Sequence, residues 1–90
     1  MTVQVHIPNP LRQHTQNQAV VAAKGDSVQA LLEDLETNFP GFSKRIFENG
    51  RVRRFINIYL NDEDIRYLDD TATQVKPGDE LCIIPAVAGG

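Results

Sequence analysis

The sequence predicts an α+β domain in which one sheet is crossed by one main helix. Three patterns carry that expectation. Thr2, Gln4 and His6 alternate with Val3, Val5 and Ile7, the period of two that marks a strand buried on one face. Val28, Leu31, Leu32, Leu35 and Phe39 recur at the spacing of a single helical stripe. Two later runs, Phe55 to Leu60 and Leu81 to Ile84, are rich in branched and aromatic residues and read as strands. Strands, a helix and strands again are most economically closed by laying the helix on one face of a single sheet.

Each element has a local reason. The first strand stops at Pro8-Asn9-Pro10, because proline has no amide hydrogen to give a ladder. Arg12 to Asn17 is polar and reads as a loop. Gln18 to Ala23 forms a second strand, ended by Lys24-Gly25-Asp26, so the first two strands should make an antiparallel hairpin. Asp26 or Ser27 caps the helix, with Gln29 placed as in a loose capping box. Phe39-Pro40-Gly41 ends it, since the residue before a proline is driven out of the helical region. Phe42 to Phe47 reads as one more helical turn, followed by a basic loop through Asn49-Gly50-Arg51. After the strand Phe55 to Leu60, the run Asn61-Asp62-Glu63-Asp64 is a turn and Ile65 to Leu68 a short edge strand. Lys76-Pro77-Gly78-Asp79 has the order of a type II turn, with glycine at the positive-φ position. Leu81-Cys82-Ile83-Ile84 is apolar at consecutive positions, which predicts a strand covered on both faces with Cys82 in the core.

Composition narrows the function. Ninety residues suffice for one domain, and no repeat or linker divides them. One cysteine makes no internal disulfide. The longest apolar run is far short of the roughly 20 residues of a membrane span. Met1 to His6 has neither a basic segment nor an apolar signal core, so the expected location is the cytoplasm. A net charge of -3 lacks the basic footprint of a nucleic-acid binder. Neither membrane nor nucleic acid is expected as a partner.

Catalytic constellations are missing from the pattern. His6 and His14 have no metal-ligand spacing to Cys82, so no metal site is expected. A thiol within an apolar strand behaves as a small hydrophobe with a raised pKa, a poor nucleophile. Asp62, Glu63, Asp64, Asp69 and Asp70 fall in turns, where nothing separates their pKa values into acid and base. No glycine-rich loop opens a helix, so no phosphate cradle is predicted. Lys44, Arg45, Arg51, Arg53 and Arg54 form a local basic patch that fits an acidic partner, a nucleotide phosphate or plain solvation equally well. No catalytic residue and no bound cofactor is expected.

The informative segment is the end of the chain. Pro85-Ala86-Val87-Ala88-Gly89-Gly90 is made of small residues that pack poorly, so the sequence predicts a domain over 1–85 and a flexible tail over 86–90. Gly89 and Gly90 lack side chains and fit a channel that a Cβ would block. The group delivered is the α-carboxylate of Gly90. That carboxylate resists nucleophiles until its oxygen becomes a good leaving group, as it does when joined to AMP; sulfide or an amine can then take the acyl group.

The element order and the ending Ile83-Ile84-Pro85-Ala86-Val87-Ala88-Gly89-Gly90 resemble the ubiquitin-like sulfur carriers, the ThiS/MoaD family. The stretch Arg54-Phe55-Ile56-Asn57-Ile58-Tyr59-Leu60-Asn61-Asp62-Glu63-Asp64-Ile65-Arg66 is most similar to the CysO-type carriers of cysteine biosynthesis. The resemblance implies a β-grasp fold, a mixed four- to five-stranded sheet with one main helix. It also implies that an E1-like activating enzyme adenylates Gly90 with ATP and that sulfur transfer turns it into a thiocarboxylate. Gly89, Ala88 and Val87 would guide the tail. The acceptor in the cysteine version is a pyridoxal-phosphate-dependent synthase holding an aminoacrylate. Two other outcomes share the Gly-Gly end: the molybdopterin synthase small subunit or thiamine-pathway carrier, and a ubiquitin-like protein modifier. With Ile56, Ile58 and Leu60 toward the helix, Phe55, Asn57 and Tyr59 fall on the other sheet face. There Phe55 and Tyr59 either dock partner enzymes or cover the loop from Phe42 to Gly50.

Overall fold

The computed structural model describes residues 2–85. Strands β1 (Thr2–His6) and β2 (Val20–Lys24) pair antiparallel, with Val5 opposite Val21. The segment between them departs from the expected loop: Asn9–His14 forms a 3-10 helix. Pro10 lies in its first turn, where a missing N–H leaves no bond unmade. Only Leu11 of this helix is buried, so its polar neighbours showed no periodicity to read.

Helix α1 (Val28–Asn38) buries Val28, Leu31, Leu32 and Leu35 against the sheet. Ser27 is the cap, its hydroxyl accepting the Ala30 amide at 3.1 Å. A second tie meets the same end. The Val28 amide donates to the Thr73 carbonyl and the Val75 amide to the Asp26 carbonyl, both at 3.0 Å. Gly25 just before the helix is required by space, because a Cβ there would stand 2.7 Å from the Ala30 Cβ and 3.0 Å from main-chain atoms.

Beyond α1 comes the predicted turn, α2 (Ser43–Ile46), which buries Phe42 and Ile46 in the core. The basic loop is in fact a small hairpin, β3 (Phe47–Glu48) with β4 (Arg51–Val52). Asn49 and Gly50 turn it with φ of 54° and 78°. Asn-Gly is the strongest short signal for such a turn and was legible in the sequence.

β5 (Ile56–Leu60) buries alternate residues Ile56, Ile58 and Leu60. Asn61 and Asp62, at φ 50° and 71°, reverse the chain directly into β6 (Glu63–Asp64). The edge strand therefore comes earlier than expected, and Ile65–Tyr67 is a 3-10 helix capped by Asp64. A two-residue turn leaves no slack, so pairing is spent on Glu63 and Asp64 and Ile65 drops into the core. Gly78, at φ 91°, completes the predicted turn before β7 (Glu80–Pro85).

The main sheet is ordered β2-β1-β7-β5-β6. Its first and last long strands, β1 and β7, lie parallel at the centre, and the other pairs are antiparallel. Val3, Val5, Leu81 and Ile83 face α1. The sequence reading of β7 fails on its other side: Cys82 is half-buried and Ile84 is 46% exposed. Among the described residues helices cover one face only, so the consecutive apolar run does not mean burial on both.

Two carboxylates stitch the turns. Glu36 accepts the amides of Gly41 and Ser43 at 3.0 and 2.8 Å, which pulls its carboxyl below the ordinary value, with Lys44 adding a smaller attraction. Asp79 accepts from the Asn61 side chain at 3.0 Å and the Lys76 amide at 2.8 Å and is lowered likewise. Folded values below unfolded ones stabilise the protein above the unfolded value, and that stability is lost as pH falls through the folded value. Urea midpoints of wild type should therefore decline in acid. Glu36→Gln should be less stable at neutral pH, with the gap closing on acidification; a gap independent of pH would contradict the linkage.

Candidate docking face and tail exit

The face of the sheet opposite α1 is open. Register lines up Val20, His6, Cys82, Tyr59 and Asp64 as one row across all five strands. The next row pairs Asn57 with Ile84. Tyr59 is half-buried among these neighbours, between the buried Ile58 and Leu60 that point the other way. Phe55 precedes β5 and is 52% exposed. It lies at the end of the sheet where Ile56 pairs with Pro85, the last described residue before the tail. Ile84 and Pro85, which sequence reasoning did not place here, join the same end. The sign was the alternation of Leu81 and Ile83 with Cys82 and Ile84, masked by uniform hydrophobicity.

Gly90, Gly89, Ala88 and Val87 lie outside the described residues.

The polar groups on this face do not form a reaction centre. The fold brings His6 beside Cys82 across β1 and β7, an adjacency the sequence spacing concealed. The His6 imidazole Nε2 is taken by the Glu80 carboxylate at 2.8 Å. The Cys82 thiol is pushed up from its ordinary value by burial, with the Asp62 and Glu80 charges adding to the shift. A thiol so held stays protonated at neutral pH and is a weak nucleophile. His14 lies elsewhere, in the 3-10 helix, accepting from Arg45 Nε at 3.1 Å. Among the described residues no three His, Cys, Asp or Glu side chains gather closely enough to hold a metal ion. No helix among them is long and apolar enough to cross a membrane.

A mixed sheet with parallel central strands, one main helix on one face and an open second face define a β-grasp, ubiquitin-like protein. Residues 5–90 match the ThiS family, and the chain belongs to that family. It is 47% identical to the sulfur carrier protein CysO of Mycobacterium tuberculosis, with all of both chains covered. The fold is similar to that in the crystal structure of the Amycolatopsis orientalis BexX/CysO complex, with a TM-score of 0.93 and 44% identity over 98% of this chain and 99% of that one. Small archaeal modifier protein 3 of Haloferax volcanii is 34% identical over 71% of this chain and 70% of its own.

Proposed function

We propose that this protein is a sulfur carrier whose Gly90 is converted to a thiocarboxylate, serving cysteine biosynthesis in the cytoplasm. The observation that carries the reading is the full-length similarity to a sulfur carrier, which includes the Gly-Gly end. Residues 1–85 act as the handle and 86–90 as the arm. A carboxylate oxygen of Gly90 attacks the α-phosphorus of ATP on an E1-like activating enzyme and expels pyrophosphate. Hydrosulfide then attacks the acyl carbon, AMP leaves, and a proton is released. The resulting sulfur is nucleophilic and passes to a pyridoxal-phosphate-dependent synthase. The chain supplies no catalytic group and holds no cofactor of its own; ATP belongs to the activating enzyme's reaction.

Docking is assigned to the open face and its Pro85 end, with Phe55, Tyr59 and Ile84 as contacts. Exposed apolar side chains grouped at the Pro85 end of the sheet fit a surface that desolvates on a partner. That a CysO has been crystallised in complex with another protein supports partner docking of this fold. Gly89 and the small residues Ala88 and Val87 guide the tail into the partner's site.

Intact mass after incubation with ATP, an activating enzyme and sulfide tests the reading. Replacement of one C-terminal oxygen by sulfur is expected. Similarity to a protein named as a modifier supports the second reading, in which Gly90 joins lysines of other proteins. Conjugates of higher mass, without the sulfur-substituted form, would favour it.

A further inference from the structure

Arginines that the carrier reading leaves unused converge on one cleft. Six of the nine basic residues fall between 44 and 66, in a chain with a net charge of -3. The fold gathers Arg51, Arg53, Arg54 and Arg66 around a cleft of about 410 Å³ between the β3–β4 hairpin and β5. Val52, half-buried, is the apolar side chain that the cleft exposes; Ile56, Ile58 and Ile65 lie beneath it as a buried floor, and Asp70 is the single carboxylate among the lining side chains.

These guanidinium groups are not equivalent. Arg53 donates to the Lys44 carbonyl at 3.0 and 3.1 Å and stands 3.7 Å from Glu48. Arg66 donates to the Ile56 carbonyl and the Asn57 amide oxygen, with Asp64 3.6 Å away. Both are thereby positioned and partly neutralised. Arg51 and Arg54 are exposed and have no hydrogen bond or ion pair among the described residues; the Arg54 guanidinium lies 6.0 Å from the centre of the Phe55 ring. Folding thus brings two uncompensated positive charges to one concavity in an acidic protein. Neither is needed to hold the hairpin.

We propose that this cleft binds a small organic phosphate. Arg51 and Arg54 take its oxyanions with the forked geometry that suits phosphate, and the rest of the cleft, over Val52 and Thr71, takes a compact organic body. Two free guanidinium groups call for at least a dianion. The volume is that of a small-molecule site and more than a lone phosphate fills. An acidic peptide would meet the rim arginines while leaving the depth of the cleft unfilled. The inference stands apart from the carrier reading, since it uses no residue of the tail.

The test is to titrate ADP, pyrophosphate and adenosine separately into the full chain and follow amide and arginine Nε signals by NMR. ADP should move Gly50, Arg51, Arg54 and Thr71, and should bind more tightly than either fragment. Arg51→Gln combined with Arg54→Gln should weaken ADP about tenfold or more, as for the loss of charge-assisted bonds. Lys24→Gln, on the far edge of the sheet, should leave affinity unchanged. Absence of cleft shifts at millimolar ADP would overturn the proposal. So would equal binding of adenosine, equal binding of pyrophosphate, or a loss in Lys24→Gln as large as in the double variant.

Discussion

Removing Gly90 alone should abolish thiocarboxylate formation while leaving thermal unfolding unchanged. The proposed chemistry resides in one backbone carboxylate, five residues beyond Pro85, the last described residue. Deletion moves that carboxylate to Gly89, about 3.5 Å back along an extended chain. Misplacement of a reacting group by about 1 Å costs on the order of 100-fold in rate, so a whole-residue retreat should bring the product below detection. Every core side chain of the described domain lies before residue 84, which is why stability should not change. Gly89→Val tests the same channel differently: the carboxylate stays at full reach, but a branched Cβ must enter where none was. Intact-mass spectra with ATP, activating enzyme and sulfide decide both, and sulfur incorporation by the truncated chain would refute Gly90 as the acceptor.

The second large effect is expected on the open face. Tyr59→Asp should weaken binding to the activating enzyme about 30-fold or more, the loss typical of a central aromatic contact of about 2 kcal/mol. Asp64 stands opposite Tyr59 in the register, so the new carboxylate also meets a like charge, a cost of about 0.2–1 kcal/mol to the fold. Ile84→Lys separates the two effects. Its partner across the ladder is the neutral Asn57, and it is already 46% exposed. Both variants should lose affinity by calorimetry, with Tyr59→Asp lowering the urea midpoint modestly and Ile84→Lys keeping one near wild type. Unchanged affinity in both would remove this face from the interface and leave the tail as the only recognition element.

Much of the fold was legible because period and punctuation are local. Alternation in β1, the stripe of α1, a cap at Asp26 or Ser27 and the Pro77-Gly78 turn each depend on a few neighbouring residues. The misreadings were of another kind. Ile65 to Leu68 has a strand-like composition, yet the turn at Asn61-Asp62 uses up the pairing before it. The Asn9–His14 helix buries one residue, too few to impose a pattern.

The site divides the same way. The amino-acid order alone contains the Gly89-Gly90 pair on which the proposed chemistry rests and the basic cluster between 44 and 66. It also placed Tyr59 opposite the helix-facing side of β5, since side-chain alternation is built into an extended backbone. Only the tertiary structure decided what that face contains. Pairing with β5 and β1 turns Ile84 and Cys82 outward beside Tyr59 and His6, contacts made between strands far apart in sequence. It likewise decided that Arg51 and Arg54 share a cleft with Arg66 instead of lining a solvated loop. Hydrophobic pattern reports whether a residue prefers burial. Which face stays uncovered depends on where the single helix lies, and that is settled by the packing of the whole chain.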